Sequence, residues 1–137
     1  MRRAAAGAAH RIGRRGAVLA LLGGIAALYG YALIQQPIPS RVGLELLLHV
    51  MPMTGWAATL IAAGCLAIVC ALVRQGRDWP GYVALVVVWT PWSLSFLTSW
   101  WPLGDNPRGW ISAAIFGALA LIPAVAVGWP EPPEEPR

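Results

Sequence analysis

Four long apolar blocks, none carrying a charged side chain, constrain this chain more than any other feature: Ala17 to Ile34, Met53 to Val73, Gly81 to Trp100 and Gly109 to Gly128. A hydrocarbon core of about 30 Å takes roughly 20 helical residues to cross, and each block is near that length. A backbone amide or carbonyl left unpaired in hydrocarbon costs several kcal/mol, so each block must satisfy its own backbone as a helix. The expected fold is therefore all-α: a polytopic membrane protein built as a bundle of four transmembrane helices. Composition agrees, with 58% hydrophobic against 12% charged residues and a mean hydropathy of +0.61, outside the range of soluble domains. The chain divides into a basic head at 1–16, a transmembrane domain at 17–128 with spans at about 17–34, 53–73, 81–100 and 109–128, and a Pro/Glu-rich tail at 129–137.

All ten basic residues are arginine, in a chain also rich in Ala, Gly, Pro and Trp. That usage reads as the mark of a GC-biased, actinobacterial coding sequence rather than of a function. The arginines do set an orientation. Arg2, Arg3, Arg11, Arg14 and Arg15 precede the first span, Arg74 and Arg77 lie between the second and third, and Arg137 ends the chain, leaving Arg41 and Arg108 for the other side. The excess of positive charge in cytoplasmic segments then places both termini in the cytoplasm of a bacterial inner membrane. Arginines beside apolar blocks are explained by that rule, so no nucleic-acid partner is expected. Trp79, Trp101 and Trp110, with Arg14, Arg15 and Arg77, are the expected interfacial anchors, because an amphipathic indole prefers the headgroup zone. The first span also follows a basic region as a secretory signal would, but small residues at a cleavable spacing occur only around Gly30 and Ala32. It is read as a retained span.

Between the first two spans, Leu44, Leu47, Leu48 and Met51 recur at helical spacing, while Arg41, Glu45 and His49 form a polar stripe. This predicts a short interfacial helix in the first outer loop, apolar face toward the membrane and closed by Pro52. Glu45 and His49 are either an ordinary solvated i, i+4 pair or a pH-sensitive one.

The third span carries the densest chemistry, "VVVWTPWSLSFLTSWW" at 86–101. At 100° per residue, Tyr82, Trp89, Trp92, Phe96 and Trp100 share one side, and Ala84, Pro91, Ser95 and Thr98 share another. Helices in lipid associate through small residues and modest hydrogen bonds, so the small side is expected to face the bundle and the aromatic side to face lipid or another subunit. The small side serves either as packing surface or as the lining of a pore. Pro91 and Pro123 are expected to kink their helices, freeing the carbonyls of Val87 and Leu119. Small residues four apart, Gly16, Ala20 and Gly24 in the first span, Gly55, Thr59, Ala63 and Ala67 in the second, and Gly109, Ala113 and Gly117 in the fourth, mark further packing faces.

No ionisable residue interrupts a span, and such residues are what ion or proton paths in lipid normally require. Cys65 and Cys70 are five apart and share no helix face, and His10 and His49 have no ligand-spaced companions. No enzymatic activity, cofactor or metal is therefore expected. The tail "WPEPPEEPR" reads as an extended, solvated terminus.

Two loop motifs, "GRDWPGY" at 76–82 and "NPRGW" at 106–110, resemble stretches of small four-span membrane proteins of actinobacteriophages and prophages. The resemblance implies a holin-like protein that oligomerises and permeabilises the inner membrane, and it carries over no catalytic residue. Both motifs also fit short helix connectors, with Pro80 starting a helix and Asp105, Asn106 and Pro107 forming a turn. The functions left open are a holin-like protein, an accessory or structural subunit of a membrane complex, and a small channel or transporter. The expected partners are the lipid bilayer and either copies of the chain or a larger membrane protein.

Overall fold

The computed structural model describes residues 13–35, 42–72 and 78–128. The expectations for residues 1–12 of the basic head, the acidic tail, Arg41, Arg74 and Arg77 lie outside these residues. Among the described residues five helices follow in order: α1 (Arg14–Gln35), α2 (Glu45–Val50), α3 (Met53–Leu72), α4 (Trp79–Trp100) and α5 (Gly109–Ala126). α1, α3, α4 and α5 are each long and apolar enough to cross a membrane, and among the described residues there is no strand. The chain is a multi-pass, all-helical membrane protein.

The observed helices sit close to the expected spans and differ at their ends. α1 begins three residues early, taking Arg14 and Arg15 into its first turn, because helical hydrogen bonding continues past the apolar stretch into the interface. α4 begins at Trp79, with Pro80 in its first turn, where a missing amide costs nothing. Both α4 and α5 continue through their internal prolines. The hydroxyls near Pro91 do not take the Val87 carbonyl. Thr90 Oγ1 donates to the Val86 carbonyl at 2.7 Å, and Ser95 Oγ donates to the Gly43 carbonyl at 2.7 Å.

α1 packs chiefly on α3 and α4 chiefly on α5, while α3 against α4 joins the two pairs. The α1–α3 seam is built from glycine and alanine. A methyl group on Gly23 would lie 2.7 Å from the Gly64 carbonyl oxygen and 2.9 Å from Ala67 Cβ. One on Gly30 would lie 2.7 Å from the Ala57 carbonyl oxygen. Gly23 and Gly30 are seven apart, as are Ala57 and Gly64, which is the repeat of left-handed helix packing rather than the four-residue step expected from sequence. Gly24 belongs to that four-residue pattern and has nothing within 4 Å of the position its Cβ would take. It is not a point of close approach within the bundle.

The two ends of the bundle are closed differently. At the end holding the α1 and α4 N-termini, called the basic end below, Arg15 Nη2 lies 3.3 Å from Asp78 Oδ2. The Tyr82 hydroxyl donates to the Arg15 carbonyl at 2.7 Å, and the guanidinium lies 5.8 Å from the centre of the Tyr82 ring, within cation–π reach. At the opposite end, α2 folds onto α4. Leu44 and Leu47 are buried there while Glu45 and His49 stay exposed. The leucine face thus covers the end of the bundle instead of lying on lipid, and the Trp56 indole donates to the Leu47 carbonyl at 2.8 Å. Gly43 makes the turn into α2 possible. Its φ is +86°, and Phe96 fills the space where a side chain would stand.

Candidate functional site

The centre of the bundle is a cluster of rings. Tyr29 of α1 lies 5.6 Å from Trp89 and 5.4 Å from Trp92, ring centre to ring centre. Phe116 of α5 stacks on Trp89 at 5.5 Å and on Phe96 at 5.5 Å, and Trp56 of α3 meets Trp92 edge-on at 6.5 Å. Tilted and edge-on pairs at these separations are the favoured aromatic geometries. Trp89 is 1% exposed and Trp92 fully buried.

This overturns the expected rotation of α4. Tyr82, Trp89 and Trp92 face inward, Phe96 is partly buried, and only Trp100, at the helix end, is substantially exposed. The physical reason is volume. α1 and α3 meet backbone to backbone, but α1 is only in light contact with α4 and α5, and that wider central space needs large side chains to fill it. Small residues go to the narrow seams between neighbours instead. The indole nitrogens of Trp89 and Trp92 have no hydrogen-bond acceptor. The near-perpendicular ring of Tyr29 beside Trp92 offers a π face of the kind that accepts weak N–H contacts.

The other residues singled out from sequence scatter. Ser95 is 1% exposed and ties α4 to the turn before α2. Thr98 donates to the Leu94 and Ser95 carbonyls of its own helix, each at 3.0 Å. Gly117 sits on the α4–α5 seam, where an added methyl would come 3.2 Å from Ser93 Oγ, and Ser93 itself donates to the Ala113 carbonyl at 2.9 Å. Ala84 and Pro91 are half-buried and line a lateral cleft of about 490 Å³ between α3 and α4, together with Trp56, Thr59 and Ala63. Trp79, Trp101 and Trp110 are exposed at helix ends, and Arg14 is exposed in the first turn of α1. Arg15 is instead drawn into the pair with Asp78.

Sequence reasoning missed the pairing of buried Asp78 with Arg15, Tyr29, Phe116 and the Gly23–Gly30 seam. Only the last left a signal, the seven-residue spacing of small residues on two consecutive spans. Among the described residues no group of three His, Cys, Asp or Glu comes together to hold a metal ion; Cys65 is exposed and Cys70 buried, both free thiols.

Chemically, the interior offers packing and little else. The hydroxyls of Thr59, Ser93, Ser95, Thr90 and Thr98 donate to backbone carbonyls and hold helices in place, whereas the buried Ser99 Oγ near the end of α4 has no hydrogen-bond partner. Two lateral clefts are open among the described residues: the α3–α4 cleft, and a second between α4 and α5 of about 520 Å³. Comparison with protein-family models, with curated proteins and with solved structures gives no match to this chain.

Proposed function

We propose that the chain is a non-catalytic accessory subunit of a bacterial cytoplasmic membrane, with both termini on the cytoplasmic side, which works by docking its outer helix faces on a larger membrane partner. One observation carries this reading: the ring cluster fills the bundle centre, and the hydroxyls of Thr90, Ser93 and Ser95 at that depth are spent on carbonyls. The described part of a single copy, so packed, is filled by rings at its centre, and its activity belongs to its surface. That surface is aliphatic, with Leu21 and Leu28 on α1 and Ile115 and Leu121 on α5 turned outward, which suits helix-to-helix docking in lipid.

The loop motifs at 76–82 and 106–110 favour a second reading, the holin-like one, in which copies accumulate and the lesion opens between molecules rather than through one. Tightly induced expression in a bacterial host separates the two, with membrane potential, growth and release of a co-expressed endolysin followed together. The accessory reading expects membrane insertion with growth and potential unchanged. Abrupt depolarisation at a defined time, followed by lysis only when endolysin is present, would replace it with the holin-like one.

A further inference from the structure

The α4–α5 cleft has a mouth unlike the rest of the lipid-facing surface. It is lined by Ser93, Leu97, Trp100, Trp110, Ala113 and Ala114. Its volume of about 520 Å³ falls within the range of small-ligand clefts, roughly 300–1,000 Å³. Ser93, the hydroxyl among its lining side chains, already gives its proton to the Ala113 carbonyl. The floor is therefore hydrocarbon in character and fits an apolar chain. The walls at the mouth are two indoles, Trp100 at 43% and Trp110 at 52% exposed, the side chains that settle at headgroup depth. The adjoining turn adds exposed Trp101 and Leu103, which hold this edge of the bundle in the interface rather than in water.

Arg108 stands on the turn beside the mouth: it precedes Gly109, where an added methyl would lie 3.1 Å from Trp100 Cβ. Arg108 is exposed and stands two residues before Trp110. Among the described residues the one ion pair is Arg15 with Asp78, so the Arg108 guanidinium is not neutralised by a carboxylate, although Asp105 is exposed in the same turn. Arg108 also occupies the N-cap of α5, where no side chain caps the first turn, and the positive end of the helix dipole adds to its charge. An apolar slot between two indoles, with an arginine on the adjoining turn that is in no ion pair among the described residues, matches one kind of molecule in both halves.

We infer that the α4–α5 cleft is a binding site for an anionic glycerophospholipid, one acyl chain lying along Leu97, Ala113 and Ala114 and the phosphate held by Arg108. Trp100 and Trp110 flank the glycerol. The site needs only the membrane setting of the helices and is independent of which partner the protein serves.

Native mass spectrometry of the full chain in detergent, titrated with phosphatidylglycerol or with phosphatidylcholine, tests it. The wild type should retain a first phosphatidylglycerol about fivefold more strongly than a first phosphatidylcholine, the scale of one arginine acting on an anionic lipid. R108Q should bring the two lipids to equality, and R108K should restore most of the preference. Ala114 is exposed and lines the cleft, whereas Ala118, one turn on and also exposed, does not. A114W should therefore weaken uptake of both lipids about fivefold while A118W leaves it unchanged, with helical circular dichroism showing that both fold. Equal binding by A114W and A118W, or a wild-type preference no greater than that of R108Q, overturns the inference. A lipid-free dimer that dissociates in A114W overturns it too, and would put a second copy of the chain in the cleft.

Discussion

The α1–α3 pair and the ring cluster joining α1 to α4 and α5 are packed by opposite means. Along α1 and α3, glycines let one backbone rest on the other, and Gly64 meets the carbonyl of Gly23 and the backbone and Cβ of Ala27. In the cluster the helices stand further apart, and indole and phenyl rings fill the gap. The first kind of contact has no room for an added atom, and the second has no substitute for a lost one. The same bundle should therefore fail in opposite ways in its two regions.

The largest effect is expected from filling the seam. Gly64→Leu forces two backbones apart and should cost about 3 kcal/mol or more, read as a lower unfolding midpoint in mild detergent. Gly24→Leu, one residue from Gly23 but facing open space, should change the midpoint by less than about 0.5 kcal/mol. An equal loss for both variants would break the distinction between seam and surface.

Emptying the centre comes next. Trp92→Ala should cost about 2–3 kcal/mol, somewhat below the usual range for a large core truncation, because the separated helices already face lipid and only the packing part of the term is lost. Loss of near-ultraviolet circular dichroism alongside retained helicity would locate the damage in the rings. At the basic end, Asp78→Asn should cost about 1–2 kcal/mol. It removes the Asp78 charge facing the Arg15 guanidinium, but the Arg15 side chain is 18% exposed, so the penalty falls short of that for a fully buried broken pair. The smallest effect belongs to Ser95→Ala, which removes one hydrogen bond to Gly43 and should cost about 0.6 kcal/mol, the average for a single interhelical bond in lipid. Proteolysis of the turn before α2 would read that loss more sensitively than global unfolding.

Several of these features were legible beforehand and others were not. The helix ends could be read within a few residues, since Pro80, Trp101 and the turn through Asn106 and Pro107 stop or start a helix by local chemistry. The Leu44 and Leu47 face of α2 was legible as an apolar stripe, but its destination on the bundle end was not. The inward turn of Trp89 and Trp92 ran against the expectation drawn from small-residue packing. That rule describes the α1–α3 seam correctly, and it fails on α4 because the centre of four helices is wider than the gap between two. The pairing of Arg15 with Asp78 joins residues 63 apart and has no periodic trace.

By itself the sequence determined the number of spans, their helical state and their approximate ends. Lipid imposes that demand on each segment separately, since every backbone group must be paired within its own helix. The tertiary structure alone decided which face of each helix turns inward, which glycines touch, and which arginine is neutralised. In water an amphipathic pattern would announce the inner face, but in hydrocarbon both faces of a span are apolar and the pattern is nearly silent. Rotation is then settled by shape, by how rings and missing side chains fit together across helices, and by a few hydrogen bonds between residues far apart in the chain.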